Sequence, residues 1–383
     1  MNIDSIKFFW LPFESKELLS YIKKEAEDRN VIVSSILKGT HYERYLLDKH
    51  PSKIPSYIIK EIEIFKHRGY RNFLAEFYKD KYKILLKMKK KGKIFLFFDS
   101  FNDLFTDRKF FEVYNLGEIY EQNRSKWQEI KPSACVEETK DSENKLRESI
   151  LDGNFEKAVE SFVKIKFYLA QVSYKSAEIF SDLFPTLLES LRVEENLRIF
   201  IELYPSAYSL ATFLPKTIRD VKYVHARPLN LIMEEFRREF GDFFYYEPSL
   251  YVSLLDREFF KIFQKKGQRF LKFRSRYLKK VKEIAARCII QASLLSEVFK
   301  TKEKERMKKD YVKKFFGKYT EIYPEIRITE NVINKFCMKV AKYPYISYVL
   351  LSNTIVSSLS YEDCKRLLEK LSKKERIDLA CLF

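Results

Sequence analysis

Three aspartates, Asp99, Asp103 and Asp107, follow the apolar run Ile94 to Phe98 at steps of four. Carboxylates at the end of a buried strand can hold Mg²⁺ against phosphate oxygens, the chemistry of a metal-dependent nuclease. The competing reading is a helix start: Asp99 or Ser100 caps it and the other acids favour its first turns. No further carboxylate motif completes a two-metal site. The cap is therefore the primary reading, and a nuclease-type enzyme using Asp99, Asp103 and Asp107 is the alternative.

The histidines offer less. His41, His50, His67 and His225 have no ligand spacing and read as surface or capping residues. The five cysteines, Cys135, Cys288, Cys337, Cys364 and Cys381, contain no C-x-x-C pair, so they read as reduced residues, mostly of a core. The phosphate-loop, dinucleotide, zincin and nucleophile-elbow motifs are all absent. No metal, no cofactor and no catalytic residue are expected on these grounds.

The residue type in surplus is the cation. Lys and Arg total 72 against 54 Asp and Glu, a net charge of +18. Such a balance suits a polyanionic partner. Residues 259–282 concentrate it: Lys261, Lys265, Lys266, Arg269, Lys272, Arg274, Arg276, Lys279, Lys280 and Lys282, with no acid among them. Phe263, Phe270, Phe273, Tyr277 and Val281 recur between them at steps near three and four. This spacing predicts one long amphipathic helix with a basic outer stripe, kinked or begun at Gly267 and running on to Phe299. A second basic stretch, Lys79 to Lys93, includes Lys81, Lys83, Lys87 and Lys90. A third, Lys300 to Lys318, is interleaved with Glu303, Glu305 and Asp310 and reads as a solvated linking helix. Phe243, Phe244, Tyr245, Tyr246 and Tyr251 could stack on unpaired bases, although such clusters usually belong to a core.

The elements that carry these residues read as mainly helical. Hydrophobic residues make up 46% and aromatics 16%, with only 8 Gly and 11 Pro in 383 residues. That leaves little material for the tight turns of an all-β fold. Helices are predicted over Lys16 to Arg29, Tyr57 to Lys66 and Arg71 to Lys90. Short strands or buried turns are predicted at Val31 to Leu37 and Ile94 to Phe98. Residues 128–143 lack an apolar face and read as a linker. Consecutive antiparallel helices are expected from Lys145 to Leu214, including Leu197 to Leu203, punctuated by Pro185, Pro205 and Pro215. His225 to Pro228 reads as a loop before a helix from Leu229 to Phe240 with Gly241 as its cap. Thr329, Ser360 and Ser372 are helix starts, the last with Glu375 as a capping box. The expected domains are 1–127, mixed and mostly helical; 144–258, repeat-like; and 259–383, the basic long helix with a C-terminal helical domain.

Leu146 to Phe162, LRESILDGNFEKAVESF, with SAEIF at 176–180, resembles the opening of a tetratricopeptide-type helical repeat. It is also similar to the repeat opening in the tetratricopeptide subunit of the RNA polymerase I core factor. Gly153 and Ala158 match that pattern, whereas its Trp is absent and no second copy follows. The resemblance implies stacked helix pairs that present grooves to partner proteins.

The fold expected is mainly α: a helical repeat or bundle body with a small mixed α/β N-terminal unit. The function expected is a non-enzymatic scaffold subunit of a nucleic-acid machine, for transcription initiation or ribonucleoprotein assembly. Its basic helix faces would contact DNA or RNA phosphates largely independently of sequence, and other subunits would bind its grooves. A protein–protein adaptor without a nucleic-acid role is a further alternative. The N-terminus has no signal-peptide pattern and no run is long enough to span a bilayer. An intracellular protein is expected, nuclear if eukaryotic and otherwise cytoplasmic, with no membrane partner.

Overall fold

Three segments with hydrophobic residues on both of their faces, Ile3–Trp10, Val31–Ser34 and Leu197–Leu203, form the middle of a parallel sheet. The computed structural model describes residues 2–34, 46–97, 133–189, 191, 196–266, 271–322 and 324–383. The strands are β1 (Ile3–Trp10), β2 (Val31–Ser34), β3 (Ile94–Phe97), β4 (Leu197–Leu203) and β5 (Lys222–Ala226). All pairings are parallel, in the order β3-β2-β4-β1-β5.

Side chains alternate between two cores, as strand geometry requires. Ile6, Phe8, Val31, Val33, Ile199 and Ile201 face one core; Phe9, Ile32, Phe95 and Phe200 face the other. Parallel strands need long crossovers, and helices supply them. The second core is covered by α1 (Lys16–Glu25), α2 (Ile54–Ile62) and α3 (Arg68–Lys90). The chain then enters α4 (Ser133–Asp152) and α5 (Phe155–Glu189). From Ala177 onward α5 covers the first core, together with α6 (Leu210–Thr217). At about 1.5 Å per residue α5 is on the order of 50 Å long. Its first half packs instead on α4 and on two later helices, so it joins the sheet to the remainder of the molecule.

That remainder is helical: α7 (Pro228–Phe240), α8 (Tyr251–Lys266), α9 (Ser275–Lys300), α10 (Glu303–Arg306), α11 (Lys309–Ile322), α12 (Glu330–Lys342), α13 (Ile346–Ser357), α14 (Tyr361–Lys370) and α15 (Lys373–Ala380). Helix α9 lies at its centre, against α5, α8, α13, α14, α15 and α3. A buried polar group pins three of these elements. Gln291 of α9 donates to Ser352 (3.1 Å) and Asn353 (2.5 Å) of α13 and accepts from the Tyr251 backbone N–H (2.9 Å) of α8. No helix among the described residues is long and apolar enough to cross a membrane.

The chain is thus mainly α with a small parallel sheet, but five local expectations need correction. Leu197 to Leu203 is a strand: its run of Leu, Ile and Phe is short and buried on both faces, a pattern that does not separate helix from strand. His225 and Ala226 end a strand rather than forming a loop. Residues 155–189 form one helix with Pro185 inside it, not several short ones. Strand β1 was missed within a stretch read as mostly helical. Residues 133–143 of the expected linker are the opening of α4, and LDGN at 151–154 is the turn between α4 and α5. Strands β2 and β3, the helix behind Pro228 with Gly241 at its end, the Thr329 cap, the helix start at Ser360 and the capping box at Ser372 are where the sequence places them, and Ser360 with Asp363 adds a second capping box.

Candidate functional site

After β1 the chain runs toward the β2–β3 side of the sheet, and after β4 it runs toward β5. The two strands are neighbours, so their carboxyl ends diverge and leave a crevice, the usual ligand position in an open parallel sheet. Here a cavity of about 400 Å³ opens, with walls from Trp10 at the end of β1, Tyr208 and Ser209 after β4, Arg227 after β5, and Arg257 and Lys261 of α8. Pro228 at the first position of α7 fixes the chain direction beside it without losing a needed N–H.

The aromatic side of the cavity is organised by Trp10. Its Nε1–H donates to Nδ1 of His225 at 3.0 Å. Its ring lies 4.9 Å from that of Tyr208, and the Arg227 guanidinium sits 5.2 Å from the Trp10 centroid. Burial and the adjacent Arg227 lower the His225 pKa, which suits a neutral ring accepting at Nδ1. Burial pushes the Tyr208 hydroxyl up to about 12, so it remains a donor.

On the cationic side, Arg257 donates to Glu247 at 2.7 Å and to Ser249 at 3.2 Å. Its Nε is buried with no partner, and so is the hydroxyl of Ser209, a residue only 4% exposed. Lys261 pairs with Glu258. Among the described residues Arg227 has no carboxylate partner, so the cavity has a positive excess.

A second polar cluster lies at the ends of β2 and β4. Lys81 reaches from α3 to Glu202 at 2.6 Å, and both side chains are essentially inaccessible. Glu202 also accepts from the Ser34 hydroxyl at 2.7 Å, and Lys81 donates to the Tyr204 hydroxyl at 3.0 Å. Burial raises the pKa of nearby Glu14, opposed by a backbone hydrogen bond and by Lys81. Lys81 therefore leaves the exposed basic stretch in which the sequence placed it.

Residues 259–282 do not form one rod. Helix α8 ends at Lys266, residues 271–274 are non-helical, and α9 starts at Ser275. The expected apolar face exists, but the chain folds back to make it: Phe259, Phe263, Phe273 and Tyr277 all surround Phe167 of α5, with centroids 5.2–5.6 Å away. Around this hairpin Lys265, Lys266, Lys272, Arg274, Arg276 and Lys279 are exposed. Arg276 lies over the Tyr277 ring, and Lys280 stands 3.2 Å from Glu258. Arg269 lies outside the described residues. On α3, Lys83, Lys87 and Lys90 are exposed, with Lys83 paired to Asp80 at 3.0 Å. That helix end is tied down by the ion pairs Lys89–Asp48 and Lys91–Glu27. The third basic run is largely paired, with Lys300, Lys308, Lys309 and Lys318 each facing a carboxylate.

A scan against protein-family models and searches of curated proteins and solved structures found no match. The chemistry must therefore be argued from this chain alone.

Asp99, Asp103 and Asp107 lie outside the described residues, and so does His41. Among the described residues no group of three His, Cys, Asp or Glu could hold a metal ion. Cys288 and Cys364 are buried free thiols, and burial raises both pKa values. His67 is a buried cap: its Nδ1 accepts from the Tyr70 N–H at 3.0 Å. Of the aromatic cluster, Phe244 and Tyr251 are core and Tyr245 is exposed. Of the cavity residues only Lys261 was singled out, and as part of the basic stripe; the others were missed because the lining comes from four separate stretches. The available signal was His225-Ala226-Arg227-Pro228, a strand end running straight into a proline-started helix.

Proposed function

We propose that this chain binds the phosphate backbone of nucleic acid through the α8–α9 hairpin, as a non-enzymatic subunit of a larger assembly. The observation that carries this reading is the cluster of exposed cations Lys265, Lys266, Lys272, Arg274, Arg276 and Lys279. Among the described residues none of these six has a carboxylate partner.

Their position strengthens the argument. Helix α9 begins at Ser275 with Arg274 before it, no side-chain cap and no acid in its first turn. Cations there oppose the helix dipole, which favours negative charge at an N-terminus. A phosphate placed at that end would meet both free N–H groups and the surrounding Lys and Arg side chains. The arrangement costs stability in the free chain and becomes favourable with an anion bound.

A salt series with labelled duplex DNA, single-stranded DNA and RNA tests this. If about four cations contact duplex phosphates, the log–log salt slope gains roughly −3 to −4 from them. Changing Lys272, Arg274, Arg276 and Lys279 to Glu should flatten the slope by about that much. Equal slopes for both proteins would remove the hairpin from the account.

A further inference from the structure

We infer that the cavity at the carboxyl ends of β1, β4 and β5 is a binding site for a nucleoside monophosphate, an aromatic heterocycle carrying one phosphate. The inference stands apart from the nucleic-acid reading, because it uses different residues and a different ligand.

Size and position come first. A volume of about 400 Å³ falls within the range of small-molecule sites, roughly 300–1,000 Å³. The cavity occupies the point where the connections of a parallel sheet diverge, and Leu229 and Asn230, in the first turn of α7, line it. Pro228 has no N–H and that of Asn230 donates to the Arg227 carbonyl at 3.0 Å, so what this end offers an anion is chiefly the positive end of the helix dipole.

The lining then selects the ligand class. Trp10, Tyr208 and Phe260 supply the aromatic wall that a planar ring needs. Arg227 and Arg257 supply guanidinium groups, the side chain best matched to phosphate oxygens. Glu247, the carboxylate bound to Arg257, occupies one side of that group, while its Nε remains free and buried. The Ser209 hydroxyl stands at the start of α6, yet it does not cap that helix and has no partner. Buried donors without partners are costly, and a bound acceptor satisfies them. Asn230, Gln264 and Thr212 complete the wall with groups able to bond ring nitrogens or sugar hydroxyls.

Three other cavities fit such a ligand less well, among them one of about 460 Å³ that carries Lys145, Lys157 and Lys164 but no aromatic side chain. A larger one, of about 890 Å³, is bordered by Lys16, Glu17, Arg68, Glu76 and Glu303, with Lys16 already paired to Glu76 at 2.6 Å. Another, of about 420 Å³, is walled mainly by Leu146, Phe162, Leu169, Leu295 and Phe299 and offers no cation pair.

The chain has two tryptophans, Trp10 and Trp127. In a Trp127→Phe background, fluorescence reports Trp10 alone. Adenosine, guanosine, cytidine and uridine 5′-monophosphates would be titrated beside adenosine and inorganic phosphate. At least one monophosphate should change Trp10 emission saturably, binding at least about tenfold tighter than adenosine or inorganic phosphate. Arg227→Gln should weaken that binding about tenfold or more, as loss of a charged hydrogen bond does. Lys261→Gln, at the exposed rim, should weaken it less and serves as the second variant if Arg227→Gln lowers thermal stability. Charge reversal at Lys272, Arg274, Arg276 and Lys279 should leave it unchanged. Overturning results would be no saturable change with any monophosphate, affinity equal to that for inorganic phosphate, or undiminished binding by both cavity variants.

Discussion

Lys81 and Glu202 show how one pair of side chains can hold an element in place. Two opposite charges taken fully out of water are tolerable only while each has the other, together with the hydroxyls of Ser34 and Tyr204. Removing one partner leaves a buried charge, so Lys81→Met or Glu202→Leu alone should cost about 3–5 kcal/mol. The double variant should lose clearly less than the sum of the two. Denaturant melts of the three proteins measure the coupling directly, and additive losses would mean the pair is not a unit. Sequence could not have singled out this lysine. Lys81 sits among Lys79, Lys83 and Lys87, and only the helical phase of α3 against a strand more than a hundred residues later turns it inward. Ser360 and Thr329 were legible because a cap is local, and its chemistry lies within four residues.

Among elements, α3 and α9 meet backbone to backbone at Gly69. Gly69 lies so close to α9 that a methyl group built on it would stand 2.5 Å from the Phe299 carbonyl oxygen. Backbone cannot yield as a side-chain tip can. Gly69→Ala should therefore destabilise by about 1–3 kcal/mol through overpacking, read as a lower thermal midpoint at unchanged helix content. A wild-type midpoint would show that the two helices slide apart freely. Element type was readable where periodicity was long and caps were present, as in α3, α7 and α12. It failed at β1 and β4, because a parallel strand buried on both faces shows no alternation, and at β5, a short edge strand with no buried residue to mark it. The 259–282 stretch failed for another reason. Its apolar spacing was right, but the same rings converge on Phe167 whether the chain is straight or folded back, and spacing alone does not report the fold-back.

For the molecule as a whole, titration at two separated histidines should shape stability. His67 and His225 both have lowered pKa values, through burial and neighbouring Lys300 and Arg227 respectively. The unfolded chain then binds more protons than the folded one between the folded values and the ordinary 6.5. Their contribution is present above that ordinary value and is lost as pH falls through the folded values. Glu14 and Asp256, raised by burial, act in the opposite sense in the carboxylate range. Thermal midpoints should therefore fall from about pH 7 to about pH 5, the histidine range. His225→Gln should make that fall shallower; an unchanged slope would assign the acid sensitivity elsewhere. At this scale the helix-rich class was legible from composition, since few glycines and prolines leave few alternatives. The site was not, because its walls are assembled by sheet order, a property of the complete chain.

Sheet order also governs how the chain is made. Strand β1 is synthesised well before both of its neighbours, β4 and β5, with Ile3 opposite Leu197 and Ser5 opposite Lys222. At about 5–20 residues per second, roughly 10–40 seconds of synthesis separate the first strand from its first partner. Throughout that interval Phe8, Phe9 and Trp10 have no sheet to enter, and a nascent chain released early exposes an apolar strand with two bare edges. The rate of synthesis between β1 and β4 therefore sets how long that strand waits for its partner.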